Sequence, residues 1–163
     1  MGSRRIALLL ALILCAAFGP LGHAAAQVEA QAPEPVELEW PENGVFWRAE
    51  GLGEDDAELI IDHQMAERAA FVRVYTVDEE EVLTLFVNPG KKVRTGLPGG
   101  VYRIEVLVGE HWYGPEEAFG EEGWREFVEA DGGSEGVEIK AGYSIEITIR
   151  DEWHWEEPDW RDF

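Results

Sequence analysis

The clearest pattern along the chain is a two-residue alternation of apolar and polar side chains in its second half. Tyr102, Ile104, Val106 and Val108 share one face opposite Arg103 and Glu105, and Tyr143, Ile145, Ile147 and Ile149 share one face opposite Ser144, Glu146, Thr148 and Arg150. A period of two is the strand repeat, so each segment predicts a strand with an inward and an outward side. Phe71 to Val77 alternates more loosely, and Leu59-Ile60-Ile61 is a short apolar run. Val82 to Val87 is almost wholly apolar, as a strand buried on both faces would be. Val45 to Trp47 and Val137 to Lys140 are shorter candidates.

Turn chemistry separates these runs. Asp78-Glu79-Glu80 has the length of a hairpin connection, and Asn88-Pro89-Gly90-Lys91 puts Pro and Gly at the two central positions of a type II turn. Leu97-Pro98-Gly99-Gly100 repeats the device before the Tyr102 strand. No long amphipathic helix is evident, and residues 121–130 predict one helical turn or two. The spacing therefore predicts an all-β domain over residues 41–150: a single antiparallel β-sandwich of about seven strands, prealbumin-like or immunoglobulin-like. Tyr102, Ile104, Val106, Ile145, Ile147 and Ile149 are its expected core. Residues 27–40, with Ala32-Pro33-Glu34-Pro35, read as a linker, and residues 151–163 as an acidic tail rich in Trp.

The N-terminus changes the picture of where the domain works. Arg4 and Arg5 precede the apolar run Ile6 to Phe18, Gly19-Pro20 breaks it, and Ala24-Ala25-Ala26 offers a cleavage site. The 13-residue run would reach about 20 Å as a helix, against about 30 Å for a bilayer core. Residues 1–26 therefore read as a secretory signal peptide, with a periplasmic or extracellular mature protein that has no stable membrane insertion after cleavage. Cys15 is the one cysteine and falls inside the signal. The mature chain would thus hold no disulfide, thiol nucleophile or thiolate metal site. Removing residues 1–26 takes away two Arg and no acid, leaving 11 Lys and Arg against 34 Asp and Glu, a net charge of about −23. Such a surface repels nucleic acid.

Catalytic motifs are sparse. Beyond the signal the serines are Ser134 and Ser144, neither in a G-x-S-x-G elbow. His63, His111 and His154 lack ligand spacing and read as surface or turn residues, and no phosphate-cradling loop follows a strand. The acid runs Glu54-Asp55-Asp56 and Asp78-Glu79-Glu80-Glu81 read as solvated turns. No metal, cofactor or catalytic residue is indicated. The aromatics carry more. His111-Trp112-Tyr113-Gly114-Pro115 follows a strand, with Trp124 and Phe127 close behind, and Trp153, Trp155 and Trp160 stud the tail. Trp112, Tyr113, Trp124, Trp153 and Trp155 are the candidate binding residues. Trp112, Trp124 and Phe127 either form a platform for a sugar ring or a protein hot spot, or fold back to close one end of the core.

Taken in order, Leu59-Ile60-Ile61-Asp62-His63, Ala70 to Tyr75, Leu85-Phe86-Val87-Asn88-Pro89-Gly90, Gly96-Leu97-Pro98-Gly99-Gly100-Val101-Tyr102-Arg103 and Gly109-Glu110-His111-Trp112 resemble a recurrent bacterial secreted β-domain of unknown function. Pro41-Glu42-Asn43-Gly44 resembles its lead-in. The Leu-Pro-Gly-Gly-Val-Tyr segment is also similar to the strand entry of prealbumin-like, carboxypeptidase-regulatory-like sandwiches. His63 stands where the family has Asn. The resemblance implies no catalytic residue. The expectation for function is an exported, non-catalytic interaction module of the cell envelope that docks another protein, with a glycan as the alternative ligand. Cleavage after Ala26 is the first testable outcome: N-terminal sequencing of the exported form should begin at Gln27, and a membrane-retained form that keeps Arg4-Arg5 would contradict it.

Overall fold

Each apolar run named above within residues 41–150 is a strand in the computed structural model, which describes residues 35–128, 136–150 and 161–162. In chain order these are β1 (Gly44–Arg48), β2 (Ala57–His63), β3 (Ala69–Thr76), β4 (Glu81–Val87), β5 (Lys92–Leu97), β6 (Gly100–Gly109), β7 (Trp124–Val128), β8 (Val137–Ile139), β9 (Tyr143–Ile149) and β10 (Arg161–Asp162). They form two sheets. The larger runs β1-β4-β3-β6-β7, with β8 paired to the same β6 further along, and the smaller runs β10-β9-β2-β5. The fold is all-β, a two-sheet sandwich. Among the described residues no helix is long and apolar enough to cross a membrane.

The six expected core residues are buried in one cluster that draws on both sheets, with Leu59 and Ile61 of β2 and Leu97 of β5 facing Val72 of β3 and Leu83 and Leu85 of β4. Burying a Leu, Ile or Val in this way contributes about 1.5–3 kcal/mol each. The Asn88–Lys91 turn forms as its residues demand: Gly90 has φ +64° and Lys91 N–H donates to the Asn88 carbonyl at 3.0 Å.

The structure corrects the sequence reading at six points. Among the described residues the strand count rises to ten, the additions being β5, β7 and β10. Residues 121–130 do not make an α-helix. A single 3₁₀ turn at Gly120–Glu122 leads into β7, because the free edge of β6 supplies ladder partners from Ile104 to Val108. The sandwich is not wholly antiparallel: β2 and β9 pair in parallel, Leu59 opposite Ile145 and Ile61 opposite Ile147. Pro98-Gly99 is no type II turn, since Gly99 lies outside the left-handed region. It carries the chain from one sheet to the other, and its N–H donates to Asp56 at 2.6 Å. Finally His63 is no surface residue. It is 1 % exposed, and its Nε2 lies 2.6 Å from the Arg68 carbonyl, closing the connection between β2 and β3. The expected linker also ends early, because Leu38 N–H donates to the Trp112 carbonyl at 2.7 Å.

The acid runs are tied down across the fold. Asp55 pairs with Arg48, Glu79 with Arg103 at 2.7 Å, and Glu81 with Arg73 at 3.8 Å. The outward face of the small sheet is laced in the same way: Lys92 sits between Asp62 at 3.2 Å and Glu146 at 2.6 Å, and Arg94 meets Glu58 at 3.3 Å. Both carboxylates raise the Lys92 pKa above its ordinary value, Glu146 through its hydrogen bond most of all. Exposed pairs of this kind add little stability. The core should dominate instead: Ile147→Ala should lower unfolding stability by about 2–5 kcal/mol in urea denaturation, whereas Arg94→Ala should cost less than about 1 kcal/mol.

Candidate recognition surface

The outward face of the large sheet is divided between an aromatic half and a charged half. Phe71 of β3, Phe86 of β4 and Leu107 of β6 form the aromatic half, covered by Trp112, Ala118 and Phe119 from the loop after β6. Trp112 is 2 % exposed and its ring lies 5.0 Å from Phe71, 5.1 Å from Phe86 and 5.5 Å from Phe119, centre to centre. Edge-to-face contacts at these distances add to the area buried. Phe119 can lie flat on β6 because Gly109 has no Cβ; one there would overlap the Phe119 side chain.

The charged half holds that loop in place. Arg73 donates to the carbonyl of Pro115 and stacks 5.4 Å from the Phe71 ring centre. Its guanidinium is 3.5 Å from Glu105, which is almost fully buried and also meets Arg125 at 3.2 Å and the Tyr75 hydroxyl at 3.2 Å. Two cations and a hydroxyl satisfy a carboxylate that would otherwise be costly to bury. Burial and then the Glu105 charge raise the Tyr75 pKa, so the phenol stays a donor.

The expected platform therefore does not form. Trp112 is inside, where no ligand can stack on it, and Tyr113 is half-buried with its N–H bonded to the Ala118 carbonyl at 2.8 Å. Trp124 pairs opposite Val108 and Phe127 opposite Glu105, so these two rings lie on opposite sides of the sheet. Both are exposed, and Phe127 is covered in part by the Arg103 guanidinium at 5.0 Å. Folding back to close the core holds for Trp112 alone of the three. Trp153 and Trp155, and His154 between them, lie outside the described residues.

Other aromatics reach the surface. β1 is an edge strand, and a bulge between Val45 and Trp47 leaves Phe46 without a direct partner. Phe46 packs edge-on against Phe71 at 5.6 Å and Trp112 at 6.3 Å yet stays exposed, and Trp47 follows it opposite Thr84. Leu38, bridged to Trp112, and Trp40, 38 % exposed, line an open groove of about 510 Å³ with Glu37, Glu39, Glu110 and His111. Glu110 and His111 also border a smaller cleft of about 250 Å³ with Arg68, Phe119, Glu122 and Trp124. The sequence reading missed Leu38 and Trp40, although Val36-Glu37-Leu38-Glu39-Trp40 alternates with period two.

Within this surface His111 Nδ1 lies 3.0 Å from Glu37. The hydrogen bond to Glu37, and then its charge, raise the His111 pKa above the ordinary imidazole value. A raised pKa in the folded state means that the tie helps folding below about pH 6.5, the unfolded value, and fades as pH climbs through the folded value. An NMR titration should place the His111 midpoint above about 6.5, and Glu37→Gln should bring it down.

Among the described residues no group of three or more His, Cys, Asp or Glu is arranged to hold a metal ion. Compared with known proteins, the chain matches no family model, no curated protein and no solved structure.

Proposed function

We propose that this chain is an exported, non-catalytic recognition domain that docks another protein of the cell envelope through the apolar strip around Trp112. The observation that carries the reading is the exposure of Leu38 and Trp40 along one groove and of the adjacent Phe46 and Trp47 on β1. Phe46 and Leu38 both touch the Trp112 segment, which ties the strand side of the strip to the groove side. Exposed apolar ground of this kind, rimmed by polar groups, is what protein interfaces use, and large rigid aromatics supply most of their energy. Glu37 and Glu39 form such a rim. The glycan alternative loses its centre with Trp112 buried and keeps Trp124, at the start of β7, and the half-buried Tyr113.

Affinity capture with the mature protein from envelope extracts, followed by measurement of Kd for the partner recovered, tests the reading. Trp47→Ala should weaken that partner about 10- to 30-fold, the effect of losing an interface anchor, with urea unfolding unchanged. Undiminished binding by both Trp47→Ala and Leu38→Ala would overturn it. Trp153→Ala and Trp155→Ala belong in the same assay. They are preferable to deleting the tail, because Arg161–Asp162 pairs with β9 and deletion would strip a strand from the sheet.

A further inference from the structure

We propose that Asn43-Gly44, at the entry of β1, is a site of spontaneous covalent modification, at which Asn43 loses its side-chain amide nitrogen after attack by the backbone nitrogen of Gly44. The inference stands whether or not β1 docks a partner.

The fold has a use for each residue of the pair. Gly44 has φ +144°, a backbone conformation that residues with a Cβ rarely adopt. Asn43 serves as an amide: its Oδ1 accepts from the Asn88 N–H at 3.0 Å, and its Nδ2 donates to the Lys92 carbonyl at 3.4 Å. These bonds tie the start of β1 to the turn between β4 and β5, and a carboxylate could not donate the second. Placing the two side by side makes them reactive. Nothing lies within 4 Å of the place where a Gly44 Cβ would stand, so the approach to its nitrogen is open. Asn43 is exposed, which admits water and base. Gly44 begins its ladder with β4, where local opening costs least. The Asn88 N–H points at the oxygen on which negative charge develops as the amide carbon becomes tetrahedral, and a fixed donor there favours the attack.

The step is redox-neutral. The Gly44 nitrogen gives up its proton and bonds to Cγ of Asn43. The Cγ–Nδ2 bond breaks, and ammonia leaves with that proton. Water then opens the cyclic imide on one side or the other, giving an aspartyl or an isoaspartyl linkage at position 43. Either product removes the Nδ2 donor, and the isoaspartyl form also lengthens the backbone by a methylene ahead of Phe46 and Trp47. Asn88, the other asparagine of the chain, is spared because Pro89 has no N–H proton to give.

The test keeps the mature protein folded in mildly alkaline heavy-oxygen water, then digests it with pepsin in acid and reads the peptides by mass spectrometry. Both products, each with one heavy oxygen, should appear at Asn43, with none at Asn88. They should be absent from Asn43→Gln, whose longer side chain would have to close a larger ring. A folded protein that stays unmodified while the free peptide acetyl-Pro-Glu-Asn-Gly-Val-Phe-amide converts fully would overturn the proposal, as would modification that appears only when urea is added. The consequence is read separately in Asn43→Asp, which carries the carboxylate of the aspartyl product. Amide hydrogen exchange at Val45, Phe46 and Trp47 should quicken about three- to ten-fold, the equivalent of one net hydrogen bond, with β9 unchanged. Unaltered exchange in β1 would overturn the loosening of that strand.

Discussion

The outward face of the large sheet has to be covered, and most of the molecule's particular features follow from that. β4 carries apolar side chains on both faces: Leu83, Leu85 and Val87 go to the sandwich core, and Phe86 goes to the other side with Phe71 from β3. Exposing two Phe and a Leu on that face would forfeit several kcal/mol of burial. The loop after β6 supplies the cover, Trp112 and Phe119, and Arg73 fixes it to the sheet through the Pro115 carbonyl. The domain thus has three layers at this point, two sheets and an aromatic lid.

The lid also decides what is left outside. By drawing Trp112 inward it presents the Trp112 backbone for pairing, and Leu38 takes that place. The residues before β1 are thereby laid on the domain, with Leu38 and Trp40 along the groove rim. Phe46 is reached only by the lid's edge, so it remains partly exposed, and the bulge at Phe46 brings Trp47 next to it. The proposed recognition surface is the periphery of an aromatic cluster whose centre is structural. The same ring types serve burial at the centre and, in the proposed function, contact at the edge.

On the other side of the fold the polar side chains act as ties between sheets and loops. Arg48 donates to the Gly96 carbonyl of β5 at 2.7 Å from its place on β1, and Asn43 Oδ1 accepts from Asn88 N–H at 3.0 Å. Such bonds satisfy backbone groups that the edges of an open sandwich would otherwise leave to water. They also fix elements relative to one another in a chain this acidic, while the core supplies most of the stability. Its few cations sit where they bridge elements: Arg73 joins Glu81 and Glu105, and Lys92 joins Asp62 and Glu146.

The sequence by itself determined the strands that alternate and the faces they bury. Ile145, Ile147 and Ile149 are inward because the strand period leaves no other arrangement. It also determined that β4 needs cover on both faces. It did not show β5, whose Lys92-Val93-Arg94-Thr95 has too few apolar residues to stand out, or β7, whose Trp-Arg-Glu-Phe-Val suits helix and strand alike until β6 offers it an edge. The parallel pairing of β2 with β9 is invisible locally, because it depends on where the intervening chain brings two distant strands together. The same holds for the aromatics. Whether Trp112 or Trp40 faces solvent is decided by which ring reaches Phe71 and Phe86, a matter of tertiary distance that composition and spacing do not encode.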